Sequence, residues 1–286
     1  MITDGDVERW LREDVGHHDV TNHVPGETTG RLVAKEAGVV AGLDAARAVF
    51  DYLGVDTAVE TDQDDPGGAG RTVGDDDPAE DGDRVEPGDT VLRVAGPARE
   101  VLRGERVAVN LVCHASGVAT RTRRAVDAAR EVADGVSVAA TRKTTPGLRG
   151  IEKRAVVAGG GDTHRLDLSH MVMVKDNHVA ELGLERAVER FRERTSFATQ
   201  IEVEVEEPAD GPRAAAAGAD VVLFDNLPPE RLREGVEQLP DDTLAEASGG
   251  IGVEDVPGYA ETGVDVISMG SLTHSAPAVD FSFRTG

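Results

Sequence analysis

The sequence predicts an α/β protein whose second half is an open or incomplete (β/α) barrel. Two observations carry this. Short apolar runs such as residues 220–224 and 264–269 alternate with helical patterns, at a spacing of roughly 20 to 24 residues, the length of a barrel unit. Nearly every polar residue suited to chemistry falls at the C-terminal end of such a run, and those ends share the rim where barrels build their sites.

Before residue 115, a helix-like segment at 39–53 alternates with β-prone pieces at 31–37 and 90–96. Residues 62–83 are rich in Asp, Gly and Pro and read as a solvated, disordered loop. Their acidic spacing matches no EF-hand. After residue 115, strands are expected at 136–142, 171–175, 199–205, 220–224, 243–247 and 264–269. Most are apolar throughout, as parallel strands buried on both faces are. Helical patterns fill the intervals at 151–158, 184–194, 212–217, 229–239 and 253–261. Pro229 and Glu230 suit a helix start, and Gly218 and Gly263 suit helix ends. Gly159, Gly160 and Gly161 follow a helical pattern, not a strand, so they end a helix and do not form a dinucleotide loop. Six strands fall short of eight, hence the incomplete barrel.

Charge narrows the function classes. The 286 residues include 54 acidic and 30 basic side chains, a net charge of -24. Such a chain is a poor ligand for a phosphate backbone. Its acidity suits either solvation in high salt or a basic partner. Acidic residues are spread along the whole chain and lysine is rare beside arginine, which favours adaptation of the entire surface in a halophilic cytoplasm. No apolar run reaches the length of a membrane span, and residues 1–10 lack the features of a signal peptide. The single cysteine, Cys113, excludes an intrachain disulfide and any multi-cysteine metal site. It reads as a small buried apolar residue.

Against this acidic background, cations cluster selectively. Arg142 and Lys143 end one strand, Arg149 follows them, His164 and Arg165 precede the next strand, and Lys175 ends it. Arginine forks and lysine point charges together suit a small substrate with several negative charges. Glu204 and Asp225 end consecutive strands. Facing a cationic rim, they suit magnesium held through substrate oxygens, or support of a developing positive charge. Glu202, Glu204 and Glu206 share one strand face, and Glu204 is the one expected nearest the rim centre. Asp167 and Asp176 read as surface residues. Ser248-Gly249-Gly250 and Met269-Gly270-Ser271 follow the last two strands, where glycine lets backbone N–H groups approach a phosphate. Thr273, His274 and Ser275 are available beside them.

In order along the chain, these pieces resemble the nicotinate-nucleotide pyrophosphorylase (carboxylating) family, the quinolinate phosphoribosyltransferases. The likeness begins at Glu13-Asp14-Val15-Gly16 and Asp19-Val20-Thr21, and continues through Lys35-Glu36-Ala37-Gly38-Val39-Val40-Ala41-Gly42, Gly104-Glu105-Arg106 and Asn110. It then takes in residues 141–149, His164-Arg165, Lys175-Asp176-Asn177-His178, Glu202-Val203-Glu204-Val205, Asp225-Asn226, Glu246-Ala247-Ser248-Gly249-Gly250 and 270–275.

The resemblance implies an N-terminal α/β sandwich domain, residues 1–115, joined by the tail 276–286, and a barrel domain, residues 116–275. It implies transfer of phosphoribosyl from phosphoribosyl pyrophosphate to quinolinate with loss of carbon dioxide, a step of NAD biosynthesis. It implies a homodimer with shared sites and Mg2+ as cofactor. Arg106 would reach the neighbour's site. Arg142, Lys143, His164, Arg165 and Lys175 would hold the pyridine dicarboxylate and part of the sugar phosphate. Glu204 and Asp225 would contact the ribose or its magnesium, and Ser248, Gly249, Gly250 and Gly270 would hold the 5′-phosphate. Lys143, Glu204 and Asp225 are the residues expected to bear on the chemical step. The acidic segment 62–83 departs from the family pattern and carries no motif residue.

Three rivals stand beside this reading, and the clustered rim cations and glycine loops argue against one of them, a structural acidic protein that binds basic partners. A sister pyrophosphorylase would act on another aromatic substrate, but the cation pairs Arg142-Lys143 and His164-Arg165 favour a dicarboxylate. A non-catalytic phosphoribosyl-binding protein would not need Glu204 and Asp225, and both are present.

Overall fold

The structure is a computed structural model that describes residues 2–58 and 79–286. In chain order, the elements begin with α1 (Asp4–Val15), β1 (Glu27–Ala34), β2 (Gly38–Val39), α2 (Leu43–Tyr52), β3 (Asp56–Ala58), β4 (Arg84–Val85), β5 (Thr90–Pro97) and α3 (Ala98–Arg130). They continue with β6 (Ser137–Ala140), α4 (Arg149–Ala158), β7 (Val172–Val174), α5 (Asp176–Leu182), α6 (Leu184–Arg192), β8 (Ile201–Val205), α7 (Gly211–Ala216) and β9 (Val221–Asp225). The last are α8 (Pro229–Val236), β10 (Leu244–Ser248), α9 (Val256–Ala260), β11 (Val266–Met269), α10 (Ser271–His274) and β12 (Phe281–Thr285). Two compact units result: Met1–Arg123 with Thr145–Gly160 and Ala276–Gly286, and Arg124–Thr144 with Gly161–Ser275.

The first unit is built on an antiparallel sheet in the order β12-β1-β5-β3. Leu32, Leu43, Phe50, Val94, Val101, Val112 and Phe281 form its core, and Cys113 packs against them, where burial raises the thiol pKa. The tail enters this unit because β12 pairs with β1 from Ala34↔Phe281 to Gly30↔Thr285. α1, which the periodicity did not reveal, starts with a capping box: Thr3 Oγ1 accepts from Asp6 N, and Asp6 Oδ2 accepts from Thr3 N at 3.0 Å. α2 is shorter than the expected 39–53. Gly38 and Val39 pair with β4, and Gly42 turns the chain at φ +86° before the helix.

α3 is a single helix of 33 residues, and residue 115, where the sequence changes character, lies inside it. An apolar-and-small pattern broken by neither Gly104 nor Gly117 keeps it continuous. Gly117 is required, since a Cβ there would meet the backbone of Pro277 and Ala278.

Most of the acidic segment 62–83 lies outside the described residues. Its end, 79–83, is packed and not a solvated loop. Ala79 and Asp83 are buried. Asp81 accepts from the backbone N–H groups of Gly42 and Leu43, both at 3.0 Å, and so caps α2, which has no capping side chain of its own.

The second unit holds one parallel sheet in the order β6-β11-β10-β9-β8-β7. All six strands expected from the apolar runs are present, and β6 and β7 remain unpaired with each other, so the sheet is an open barrel. Beside β6, Asp162 exchanges backbone hydrogen bonds with Ala140 and Val138, at 3.0 and 2.8 Å. No described helix is long and apolar enough to cross a membrane.

Candidate active site

The parallel register determines what faces inward. Period-two alternation puts Met173 and Lys175, Leu223 and Asp225, and Glu246 and Ser248 on one face of their strands. These six, with Ala140, Thr141, Arg142, Lys143, His164, Arg165, Glu204 and Ser268, line a cavity of about 360 Å³ at the C-terminal ends of the strands. Arg142, Lys175, Glu204, Asp225 and Ser248 stand at the strand ends, the rim; Ala140, Met173, Leu223 and Glu246 stand two residues earlier on four of those strands, toward the floor, with Ser268 on β11.

Of the twelve residues singled out from the sequence, the cavity brings together Arg142, Lys143, His164, Arg165, Lys175, Glu204, Asp225 and Ser248. Gly249, Gly250 and Gly270 stand in the loops that follow β10 and β11. Gly249 has φ +105°, and a Cβ there would collide with the Asn226 side chain, so only glycine fits. Arg106 belongs to the first unit, on α3. Its side chain is 61% exposed and lies 3.9 Å from Glu105.

Local structure holds the rim. Thr273 Oγ1 donates to the carbonyl of Lys143 at 2.6 Å and buttresses that loop from α10. Lys175 pairs with Glu204, and Asn226 Nδ2 donates to Asp225 Oδ2 at 2.6 Å. His164 sits in the left-handed region at φ +50°, an uncommon conformation for a residue with a Cβ. It is held there by Asp162 Oδ1, which accepts its backbone N–H at 2.6 Å. Glu206 is exposed, so Glu204 is the member of its strand face that reaches the cavity wall.

The floor is charged as well. Glu202 is fully buried and Glu246 is 2% exposed. Burial, and the nearby Glu246, push the Glu202 carboxyl up to about 8, against the pull of the Arg165 and Lys175 cations among others. Arg165 is only 8% exposed. Burial and the neighbouring Arg142 lower its pKa, and Glu202, Glu204 and Glu246 oppose them. Arg142 Nε and Ser268 Oγ are buried without a hydrogen-bond partner, polar groups of the kind a ligand satisfies. Sequence reasoning missed Glu246, Ser268 and Met173 as cavity residues and gave Glu202 no role. The signal for Glu202 was its two-residue offset from Glu204.

A cavity of this kind takes a small polyanion: cations on one wall, carboxylates across from them, and a glycine loop beside a serine. Residues 18–116 match the N-terminal domain model of quinolinate phosphoribosyl transferase, and residues 118–284 match its C-terminal domain model. The chain belongs to the quinolinate phosphoribosyltransferase family. Among curated members of the family, a probable nicotinate-nucleotide pyrophosphorylase [carboxylating] of Methanothermobacter thermautotrophicus is 43% identical, over 97% of each chain. The human nicotinate-nucleotide pyrophosphorylase [carboxylating] is 39% identical over 97% of this chain and 90% of the human one. The crystal structure of NadC from Streptococcus pyogenes superposes with a TM-score of 0.86 at 36% identity, over 100% of this chain and 98% of that one. The fold expected of quinolinate phosphoribosyltransferases, an N-terminal sheet domain and a C-terminal parallel α/β unit, is the fold observed.

Proposed function

We propose that the protein is the decarboxylating quinolinate phosphoribosyltransferase of NAD biosynthesis, converting quinolinate and phosphoribosyl pyrophosphate to nicotinate mononucleotide, pyrophosphate and carbon dioxide. The observation that carries this is the convergence of Arg142, Lys143, Arg165 and Lys175 on one small cavity in a chain of net charge -24. Quinolinate bears two adjacent carboxylates, and binding both needs several cations at once. The cationic wall orients the pyridine nitrogen toward the ribose. As the N–C1′ bond forms and the C1′–O bond to pyrophosphate breaks, positive charge builds on the ribose ring, where Glu204 and Asp225 stabilise it. Loss of carbon dioxide follows transfer. The positive ring nitrogen stabilises the electron pair left on the adjacent carbon as the bond to carbon dioxide breaks, and that carbon takes up a proton, so no general base is needed. Ser248 with the N–H groups of Gly249 and Gly250 holds the 5′-phosphate.

Magnesium fits this donor set. Glu204 and Asp225 are hard oxygen ligands on one cavity wall, suited to Mg2+ held through substrate oxygens and water. When bound, the ion offsets charge on the pyrophosphate leaving group. We infer also that the enzyme works as a homodimer in a halophilic cytoplasm, with Arg106 serving the neighbour's site.

The test is product formation from quinolinate, phosphoribosyl pyrophosphate and magnesium in molar potassium chloride, with nicotinate as parallel substrate. Nicotinate mononucleotide from quinolinate alone is the expected result. Turnover of neither acid by folded protein would move the assignment to a pyrophosphorylase for another aromatic substrate. Carbon dioxide release without phosphoribosyl pyrophosphate would overturn the order of steps.

A further inference from the structure

At and beneath the cavity floor stand two acidic side chains, Glu246 and Glu202, to which the binding scheme above gives no role. Both oxygens of Glu202 and Oε1 of Glu246 are buried without a hydrogen-bond partner. What they face is the imidazole of His164, whose Nε2 lies 3.2 Å from Glu246 Oε2 and 3.4 Å from Glu202 Oε2. Such a trio has the look of a metal site, and the ligand atoms lie within 4.8 Å of one another. The other ring nitrogen argues otherwise. The backbone N–H of Arg165 donates to His164 Nδ1 at 2.7 Å, so Nδ1 is an acceptor and the ring proton sits on Nε2. A metal on Nε2 requires the opposite tautomer. Nε2–H is therefore a donor aimed at the carboxylates.

His164, Arg165 and Glu246 line the site cavity and also a second cavity of about 540 Å³ at the strand-start side of the same sheet, bordered by Ser137, Val221 and Leu244. For a side chain that borders two cavities, directed hydrogen bonds contribute to its orientation beside packing.

We propose that Glu246, backed by Glu202, is a positioning residue for the acid-binding wall: it accepts the His164 Nε2 proton and so holds the His164–Arg165 pair toward the substrate carboxylates. The inference rests on the functional reading above. It acts on quinolinate and not on phosphoribosyl pyrophosphate, because the glycine loops that follow β10 and β11 do not depend on His164.

The experiment compares wild type with Glu246→Leu, which removes the acceptor, and Glu246→Gln, which keeps an acceptor oxygen. Steady-state kinetics are read for each substrate, together with ring-nitrogen NMR of 15N-histidine-labelled protein, in which the His164 signals are assigned through a His164→Gln variant. Expected in Glu246→Leu is a KM for quinolinate raised about 10-fold, the scale of losing an orienting partner, with kcat and the KM for phosphoribosyl pyrophosphate within about twofold. Glu246→Gln should restore the quinolinate KM. Wild-type His164 should show a protonated Nε2 and an unprotonated Nδ1, and Glu246→Leu should lose that pattern. An unchanged quinolinate KM in folded Glu246→Leu overturns the proposal. So does an equal rise in both KM values, which marks a general structural role, or a wild-type His164 protonated on Nδ1. Should the wild type not turn over quinolinate at all, the functional reading fails, and the ring-nitrogen pattern still decides whether Glu246 positions His164.

Discussion

Arg165 is a guanidinium almost without solvent, between Arg142 and three carboxylates. Arginine presents a rigid fork; lysine cannot reproduce it. Arg165→Lys is therefore expected to keep the charge yet raise the KM for quinolinate about 10- to 100-fold, the worth of one charged hydrogen bond of about 1.5–3 kcal/mol, with little change in thermal stability. A KM within twofold of wild type would place the acid elsewhere. At another buried acid, Glu152, burial alone would raise the pKa, but hydrogen bonds from His114, at 2.9 Å, and from Thr145 hold it below the usual glutamate range. A lowered carboxylate pKa contributes stability above the ordinary value near 4.5, and that contribution is lost as pH falls through the lowered value. Glu152→Gln should thus cost about 2 kcal/mol near pH 7 and progressively less below pH 4.5. Denaturant titrations of both proteins across that window give the answer; a difference that is flat with pH would refute the assignment.

At the scale of elements, caps and loops do what periodicity does not announce. α2 borrows its N-terminal cap from Asp81, 38 residues beyond Leu43. Asp81→Ala should destabilise the first unit by about 1 kcal/mol, visible as a lower denaturation midpoint with unchanged slope. No shift would mean that water replaces the carboxylate. The strands were legible because parallel strands buried on both faces must be apolar along their length. α1 was missed because its signal lies in a capping box and two buried residues, Val7 and Leu11, within an otherwise polar stretch. α3 was missed because small residues and arginines blur its apolar stripe.

At the scale of the molecule, Arg106 is an exposed cation far along α3 from the second unit's cavity in sequence, and our reading gives it to a neighbouring subunit. Mixing Arg106→Ala with Lys175→Ala, each inactive by itself, should restore part of the activity in mixed dimers. Each hybrid would then contain one site with both cations. No recovery, with exchange of subunits shown by mass, would count against a shared site.

The amino-acid order alone determined the barrel strands, the phase that places Arg142, Lys175, Glu204, Asp225 and Ser248 at strand ends, and the resemblance to quinolinate phosphoribosyltransferases. These are local properties: hydrophobic runs and short motifs read one residue after another. Tertiary structure alone decided that 79–83 is packed, that β12 returns to β1, and that Glu202, Glu246 and His164 meet beneath the rim. Those contacts join residues far apart in the chain, His164 with Glu246 and, further still, Gly30 with Thr285. A buried carboxylate has the same letter as a solvated one, and only the register of the folded sheet says which of them water can reach.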